Sequence, residues 1–342
     1  MKPPKPIAPK RLKPRIFVSQ PIAESALKRL RAVAQVTVTA DDGRILPKTK
    51  LADAARKHDL LFVLLHDRVD RSVIAANRKL KAIASMAITP DAIDVSEATK
   101  RGIPVTVIPP IVAEATADIA FGLMLAVARR LVEGDRLARE GLYPGSQSNR
   151  LAGAAVYGKT LGLVGGKGRI GRAVAHRARG FSMPILYCGP NRLSREEEQA
   201  LGMTYVSFEQ LLQQSDFVSM HPPLQPHTRH MIDGRALSLM RPTAFLINTA
   251  RGPIVDEAAL VRALKSRQVA GAGLDVYEHE PKVTPALLKM SNVVLTPHLG
   301  SAVAELREEM ANIVVDNILA ILDGRIPPNC VNPEVLDANR KS

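Results

Sequence analysis

The chain has 342 residues, 46% of them hydrophobic, and a formal net charge of +14. This length accommodates two substantial domains, and no apolar run reaches the roughly 20 residues that span a bilayer. The two cysteines, Cys188 and Cys330, lie far apart in sequence and match no metal or redox spacing. We therefore expect a reduced, cytoplasmic protein with no secretory segment, no membrane contact and no metal site.

The first 14 residues are basic and rich in proline, and they contain no acidic residue. Such a segment cannot bury a core, so residues 1–14 are predicted to form a disordered tail that contributes solubility. Contact with nucleic acid or an acidic surface is the alternative, and the prolines argue against an organellar transit peptide. With 4% aromatic residues and no tryptophan, the chain has little material for base stacking, and we do not expect a nucleic-acid partner.

Strand-like and helix-like segments alternate through the first third of the chain. Strands are predicted at 15–19, 36–38, 60–65, 80–87 and 104–107, and helices at 22–33 and 47–57. This alternation is typical of a parallel sheet covered by helices on both faces. A long helix is predicted over 111–132. Because it is apolar on more than one side, we expect it to be buried in the core or against another subunit.

A second alternating series begins after a glycine-containing loop. Strands are predicted at 161–165, 184–188, 204–206, 217–220, 244–248, 270–274 and 293–296, and helices at 169–179, 256–265 and 305–322. Gly324 is expected to stop the last helix. Both halves of the chain therefore belong to the α/β class.

A glycine-rich turn joins the first strand of this series to its helix. Gly166, Gly168 and Gly171 have the G-x-G-x-x-G spacing. That spacing permits a tight turn, close approach of a pyrophosphate to the backbone, and close packing of the helix on the strand. The first turn of the helix also offers unpaired N–H groups to phosphate. The pattern predicts a dinucleotide-binding unit.

Five sequence blocks stand in a fixed order, the first just before the glycine turn and the others after it. They are Gly158-Lys-Thr-Leu-Gly, His221-Pro-Pro-Leu with Thr228-Arg-His, Leu246-Ile-Asn-Thr-Ala-Arg-Gly, Gly273-Leu-Asp-Val-Tyr-Glu-His-Glu-Pro and Leu295-Thr-Pro-His-Leu-Gly-Ser. Through them, residues 15–333 resemble the D-isomer-specific 2-hydroxyacid dehydrogenases, most closely the glyoxylate/hydroxypyruvate reductase branch. Five blocks in the family's order and at its distances make a far more specific signal than a glycine turn alone.

The resemblance implies two Rossmann-like domains with a cleft between them. A flavodoxin-like substrate domain would cover 15–110 and 308–342, and an inserted NAD(P)-binding Rossmann domain would cover 111–307. The helix at 111–132 would pass between the domains and contribute to a homodimer. The implied activity is NAD(P)-dependent reduction of a small 2-keto acid by hydride transfer.

Three residues would carry that chemistry. Arg251 follows an apolar strand at its carboxyl end, and its planar guanidinium suits a grip on the substrate's carboxylate and keto oxygen. His298 also follows a strand, and its imidazole can transfer the proton. By its place in the family motif, Glu280 would hold that imidazole in its charged form. A surface ion pair for Arg251 and a solvated carboxylate for Glu280 are the alternatives.

The resemblance also implies a set of cofactor contacts. Arg169 and Ile170 are expected at the pyrophosphate, and Asp275 at the nicotinamide or its ribose. The predicted set is Gly166, Gly168, Arg169, Ile170, Gly171, Gly189, Asn191, Arg192, His221, Pro222, Thr228, Thr249, Ala250, Asp275 and Gly300.

Two departures from the family pattern concern the nucleotide. The glycine turn is one residue longer than usual, so we expect a bulge there. An enzyme that prefers NAD carries an acid about twenty residues beyond the glycines, and this chain has Gly189 at that place. The lack of a local carboxylate, with Asn191, Arg192 and Arg195 close by in sequence, predicts NADP over NAD. The alternative is that these residues only open a solvated loop.

A third departure lies in the loop 87–94, which lacks the family's usual glycine. Ile88 and Thr89 are predicted to offer backbone N–H groups to the substrate carboxylate, whereas Pro90 has no N–H. His66 is a candidate substrate contact, with a structural role as the alternative. The substrate class therefore follows from the resemblance rather than from this loop.

Two other functions remain open from the sequence. A corepressor-like protein would use the same fold to sense NAD(P)(H), and such a protein can retain Arg251, Glu280 and His298. Phosphite- and formate-type dehydrogenases also share the scaffold. Turnover of simple 2-keto acids separates these functions from the leading hypothesis.

Overall fold

The protein is described by a computed structural model that covers residues 13–40, 44–143 and 145–338. It divides into two compact units, one comprising residues up to Ile111 together with those from Val303, and the other Val112–Ala302. The chain therefore leaves the first unit once and returns to it. The return lies between Ala302 and Val303, whereas the resemblance places it at 307–308.

The first unit contains a five-stranded parallel sheet. Its strands are β1 (Arg15–Val18), β2 (Gln35–Val38), β3 (Leu60–Val63), β4 (Ala82–Ser85) and β5 (Val105–Thr106), and its helices include α1 (Glu24–Val33), α2 (Lys48–Lys57), α3 (Arg71–Ala75) and α4 (Val95–Lys100). The strand order is β2-β1-β3-β4-β5, which is the flavodoxin-like order. Every residue of β3 and β4 is buried, which explains their continuous apolar sequence.

The second unit contains a seven-stranded parallel sheet. Its strands are β6 (Leu161–Val164), β7 (Ile185–Cys188), β8 (Met203–Tyr205), β9 (Phe217–Met220), β10 (Phe245–Asn248), β11 (Gly271–Leu274) and β12 (Val293–Leu295). Its helices are α5 (Ala113–Ala128), α6 (Leu131–Arg139), α7 (Arg169–Gly180), α8 (Arg195–Leu201), α9 (Phe208–Gln214), α10 (Gly234–Leu239) and α11 (Glu257–Lys265). The order β12-β11-β10-β9-β6-β7-β8 reverses between β6 and β9, and ligands of such sheets bind at that point.

The helix predicted over 111–132 is two helices in the structure. The first, α5, ends at Ala128, and Arg130 takes a left-handed conformation with φ of +54° before α6 begins. The break lies at Arg129 and Arg130 and is a local backbone event that the helix-type sequence does not signal. The helix α5 packs on its own unit's sheet, where a Cβ on Gly273 would lie 2.9 Å from Leu123 Cβ. Its several apolar sides are therefore explained by the core of the second unit.

The chain closes the first unit with α12 (Ala304–Leu322) and a short α13 (Glu334–Ala338). Helix α12 lies beside α1, and the Nη1 of Arg29 donates to the Asn312 side-chain oxygen at 2.9 Å. Beyond its end, Gly324 has a φ of +70°, and the N–H of Arg325 returns to the Ala320 oxygen at 2.8 Å. Gly324 therefore follows the helix as predicted, because this turn needs a left-handed residue.

The predictions of a basic tail and of no membrane-spanning segment can be compared with the structure only over the described residues. Residues 1–12 of the predicted tail lie outside the described residues, and Lys13 donates from Nζ to the Ala32 oxygen at 2.9 Å. Within the described residues, no helix has the length and apolar character needed to cross a bilayer.

Candidate active site

The glycine turn connects β6 to α7. The N–H of Gly165 donates to the Cys188 oxygen at 2.9 Å, and the N–H of Gly168 donates to the Gly165 oxygen at 3.0 Å. Residues Leu161–Val164 of β6 keep an unbroken register with both neighbouring strands. The strand is therefore not bulged, and the additional residue is accommodated in the turn, where Gly165 has a φ of +79°.

Three glycines of this turn, Gly165, Gly166 and Gly171, stand where a side chain would collide. A Cβ on Gly166 would lie 2.7 Å from Tyr187 Cβ, and one on Gly171 would lie 2.6 Å from Gly166 Cα. A Cβ on Gly165 would lie 2.9 Å from the Pro222 nitrogen. Helix α7 begins without a side-chain cap, which leaves the N–H groups of its first turn for an anion. The cradle fits the pyrophosphate of a dinucleotide.

The loop after β7 is held by a cluster of polar side chains. Arg192 donates from Nε and Nη2 to the two carboxylate oxygens of Glu198, each at 2.8 Å. The Tyr187 hydroxyl donates to Glu198 Oε1 at 2.7 Å, and the Arg192 guanidinium lies 5.6 Å from the Tyr205 ring centre. These donors lower the pKa of Glu198 to about 2. The sequence-based expectation that no carboxylate lies near this loop is therefore wrong, because α8 folds back and brings Glu198 to Arg192.

Gly189 itself faces open space, since a Cβ there would meet nothing within 4 Å. The Tyr205 hydroxyl donates to the Gly189 oxygen at 2.9 Å and fixes the backbone at this point. Asn191 is exposed on the same loop. The position that holds an acid in NAD-preferring enzymes is thus open in this chain.

The segment after β9 carries three of the predicted cofactor residues. His221 places its Nε2 2.9 Å from the Ser219 hydroxyl, and its buried Nδ1 has no hydrogen-bond partner among the described residues. Burial lowers the pKa of His221 to about 3, so the ring is neutral. The Thr228 hydroxyl donates to the Pro223 oxygen at 2.8 Å and accepts the Gln225 N–H at 2.8 Å. Thr228 therefore shapes the loop that follows His221 and Pro222.

Arg251 follows β10 and is tied to its own turn. It donates from Nη1 to the Ala250 oxygen at 2.8 Å, while the Asn248 side chain accepts the Ala250 N–H at 3.1 Å and donates to the Arg251 oxygen at 3.1 Å. Thr249 is buried, and its hydroxyl has no hydrogen-bond partner among the described residues. A Cβ on Gly252 would lie 1.9 Å from the Tyr277 carbonyl carbon. The Arg251 turn therefore packs directly on the segment that leads to Glu280.

His298 and Glu280 form a hydrogen-bonded pair. The His298 Nδ1 lies 3.0 Å from Glu280 Oε2, and Glu280 Oε1 accepts the Tyr277 N–H at 3.0 Å. Both side chains are largely shielded, with exposed fractions of 21% and 18%. Because Nδ1 faces the carboxylate, proton exchange with another molecule falls to Nε2.

Asp275 anchors the loop that carries His298. It is fully buried, and its carboxylate accepts the Thr296 hydroxyl at 2.6 Å, the Leu299 N–H at 2.6 Å and the Gly300 N–H at 2.9 Å. The His298 N–H donates to the Asp275 backbone oxygen at 2.9 Å. These bonds give Asp275 and Gly300 a role inside the protein, which the sequence interpretation as cofactor contacts did not include.

A second brace acts on the Glu280 segment. The buried Glu257 accepts the Glu278 N–H at 2.7 Å with one carboxylate oxygen and the Thr284 hydroxyl with the other. The Glu278 side chain in turn lies 2.6 Å from His230 Nε2. The sequence alone does not identify Glu257, since its partners are 21 and 27 residues away. The only signal is its place at the start of a predicted helix beside Asp256.

The predicted substrate residues of the first unit lie after β3 and β4. The Thr89 hydroxyl donates to Asp91 at 2.9 Å, and Ile88 and His66 are partly exposed. Next to His66, the buried Asp67 accepts the Leu64 N–H at 2.7 Å and the Ser19 hydroxyl. Burial raises the pKa of Asp67. The carboxyl edge of this sheet therefore gathers His66, Ile88 and Thr89, as expected for parallel strands.

Comparison with known proteins identifies the family of this chain. The model of the D-isomer specific 2-hydroxyacid dehydrogenase NAD binding domain matches residues 121–300. The chain is 46% identical to a glyoxylate reductase of Thermococcus litoralis over 332 residues, which cover 96% of this chain and 99% of that one. It is 47% identical to a glyoxylate reductase of Korarchaeum cryptofilum over 329 residues, with coverage of 95% and 98%.

A solved structure agrees with these relatives. It is an NADPH-dependent glyoxylate/hydroxypyruvate reductase from Sinorhizobium meliloti in complex with NADP and malonate, with a TM-score of 0.79 and 32% identity over 94% of this chain and 97% of that one. Fold and site together define an oxidoreductase that uses a nicotinamide cofactor and acts on a hydroxy acid. The chain belongs to the D-isomer-specific 2-hydroxyacid dehydrogenase family.

Proposed function

We propose that this enzyme reduces a small 2-keto acid of the glyoxylate or hydroxypyruvate type to the corresponding 2-hydroxy acid. The observation that carries the proposal is the His298–Glu280 pair at 3.0 Å, in the same unit as Arg251 and the glycine turn. The substrates in the names of the relatives support this substrate class.

A bound reduced nicotinamide supplies the hydride that the keto carbon accepts. Arg251 pairs with the carboxylate of the keto acid and polarises its keto oxygen, since a planar fork of N–H donors matches two oxygens. His298 donates the proton from Nε2 to the oxygen on which negative charge develops. Glu280 stabilises the charged imidazole through Nδ1. In the oxidative direction, His298 accepts the proton.

The geometry of the second unit supports the proposed cofactor residues. We place the pyrophosphate at Gly166–Gly171, the adenosine ribose at the loop after β7, and the nicotinamide near Thr249 and Ala250. NADP is the proposed cofactor, because Gly189 leaves the place of the usual acid open. Contacts of His66, Ile88 and Thr89 with the substrate stay predictions.

A homodimer is the proposed assembly. Five large hydrophobic residues of α6 and the segment that follows are more than half exposed: Leu131, Val132, Leu142, Tyr143 and Tyr157. Large apolar residues exposed in neighbouring segments are typical of a surface that a partner covers. Sedimentation of the native chain and of a Leu131→Asp variant tests this assembly, and a native monomer at micromolar concentration would contradict it.

The decisive experiment is a substrate panel. Glyoxylate, hydroxypyruvate, pyruvate, phenylpyruvate and 2-ketogluconate are each assayed with NADPH and with NADH. We expect the highest kcat/KM for glyoxylate or hydroxypyruvate with NADPH. If no keto acid is reduced while phosphite or formate is oxidised, the proposed reaction is wrong and the scaffold serves that other chemistry.

A further inference from the structure

Arg192, a cation that the sequence predicts for a 2′-phosphate, already forms an ion pair within the protein. Arg192 directs two N–H groups at Glu198 in a bidentate ion pair and lies over the Tyr205 ring. The opposite charges of Arg192 and Glu198 largely cancel at a distance. Arg172 on α7 is paired through Nη2 with Glu197 at 2.6 Å. Neither guanidinium supplies net charge to the adenosine loop.

Lys167 is different. It stands inside the glycine turn, between Gly166 and Gly168, and its Nζ donates to the Arg192 backbone oxygen at 3.2 Å. Its partner is a neutral carbonyl, and Lys167 forms no ion pair within the part of the chain that the structure describes. The charge of Glu197 acts on Lys167, but that carboxylate is already paired with Arg172. The ammonium group has two further N–H donors for an anion.

Through its ammonium group, Lys167 connects the two segments that form the walls of the predicted adenosine site. One wall is the glycine turn that bears Lys167, and the other is the loop 189–192, whose backbone Lys167 contacts across 25 residues of sequence. Gly189, at the head of that loop, faces open space. A phosphate at the ribose 2′ position needs room and a cation, and the two walls provide one each, Gly189 the room and Lys167 the cation.

We propose that Lys167 is the residue that selects NADP, by pairing its ammonium group with the 2′-phosphate of the adenosine ribose. The inference rests on the proposed function only in assuming that the second unit binds a nicotinamide dinucleotide. A hydroxyl at the 2′ position carries no charge, so the contact favours NADPH and leaves NADH binding nearly unchanged. Arg192 holds the loop in place through Glu198.

Direct binding tests this assignment without relying on turnover. Cofactor fluorescence is titrated with the native chain and with Lys167→Gln, using NADPH and NADH in turn. We expect the NADPH Kd of the variant to rise about 10-fold to 100-fold, as for loss of one charge-assisted phosphate contact, and the NADH Kd to stay within about twofold. Lys159→Gln is the matched control, since Lys159 is exposed at the opposite end of β6.

Three outcomes overturn the assignment. A Lys167→Gln variant that keeps the native preference for NADPH, while Arg192→Gln loses it, transfers the role to Arg192. Equal weakening of NADPH and NADH places Lys167 at the pyrophosphate instead. A native chain that binds NADH as tightly as NADPH removes the preference altogether. If both cofactors bind as expected and no keto acid is turned over, the proposed reaction fails and the role of Lys167 stands.

Discussion

Gly252 and Tyr277 are in direct backbone contact, with no space for a side chain between them: a Cβ on Gly252 would lie 1.9 Å from the Tyr277 carbonyl carbon. This contact sets the distance between the turn that carries Arg251 and the segment that carries Glu280. The two proposed catalytic groups are therefore positioned against each other by main chain, which moves less than side chains do.

The first prediction concerns that contact. Gly252→Ala should push the two segments apart, reducing kcat by about 100-fold and the free energy of unfolding by about 1–3 kcal/mol. Steady-state kinetics and denaturant unfolding measure the two effects. Gly180→Ala is the control, because a Cβ there meets nothing within 4 Å. Native kinetics and stability in Gly252→Ala would show that the contact is not rigid.

The second prediction concerns the proton donor. His298→Gln should lower kcat by about 10²- to 10⁴-fold, the usual contribution of a positioned acid. The NADPH Kd should remain native, since the imidazole acts on the substrate oxygen. His176→Gln, an exposed histidine on α7, should behave as the native chain. Unchanged turnover in His298→Gln would remove His298 from the mechanism.

The third prediction concerns the brace on the Glu280 segment. Glu257→Leu removes both acceptor oxygens and leaves the Glu278 N–H and the Thr284 hydroxyl without this partner, which costs about 1–3 kcal/mol for buried unsatisfied groups. We expect a lower kcat with little change in NADPH affinity, and a changed pH profile of kcat because Glu280 is the hydrogen-bond partner of His298. Glu209→Leu, which changes an exposed residue at the start of α9, is the control. A fall in stability alone, with native kinetics, would limit Glu257 to a structural role.

The fourth prediction is a pH dependence of stability. Burial lowers the pKa of His221 from 6.5 to about 3. Below pH 6.5 the unfolded chain binds a proton that the folded chain does not, so the free energy of unfolding falls as the pH falls. Between pH 6.5 and 5 the loss should be about 1–2 kcal/mol.

Comparison of His221→Gln with the native chain isolates this term. The variant should lose less stability than the native chain between pH 7.5 and 5, when both are measured by denaturant unfolding. His227→Gln, which changes an exposed histidine on the same loop, should keep the native pH dependence. Parallel curves for His221→Gln and the native chain would mean that the ring is hydrated in solution.

Much of this architecture is accessible from sequence because it depends on local rules. The spacing of Gly166, Gly168 and Gly171 predicts the turn, and the structure shows a collision for a side chain at Gly166 or Gly171. The pairing of His298 with Glu280 is also as the resemblance implies. In both cases the residues lie in segments whose sequence and geometry are closely linked.

What the sequence does not predict depends on contacts between distant segments. Glu198 reaches Arg192 because α8 folds back, and Glu257 reaches Glu278 across 21 residues. The helix break at Arg130 follows a single left-handed residue in a run that otherwise favours helix. Such features follow from tertiary packing, which periodicity and spacing do not encode.

The carboxylate of Asp275 draws three donors of the His298 loop onto one buried charge. The loop that carries His298 is thereby held in place within the second unit. The bonds that hold His298 and the residues proposed to contact the substrate, among them His66 and Thr89, therefore belong to different units of the chain.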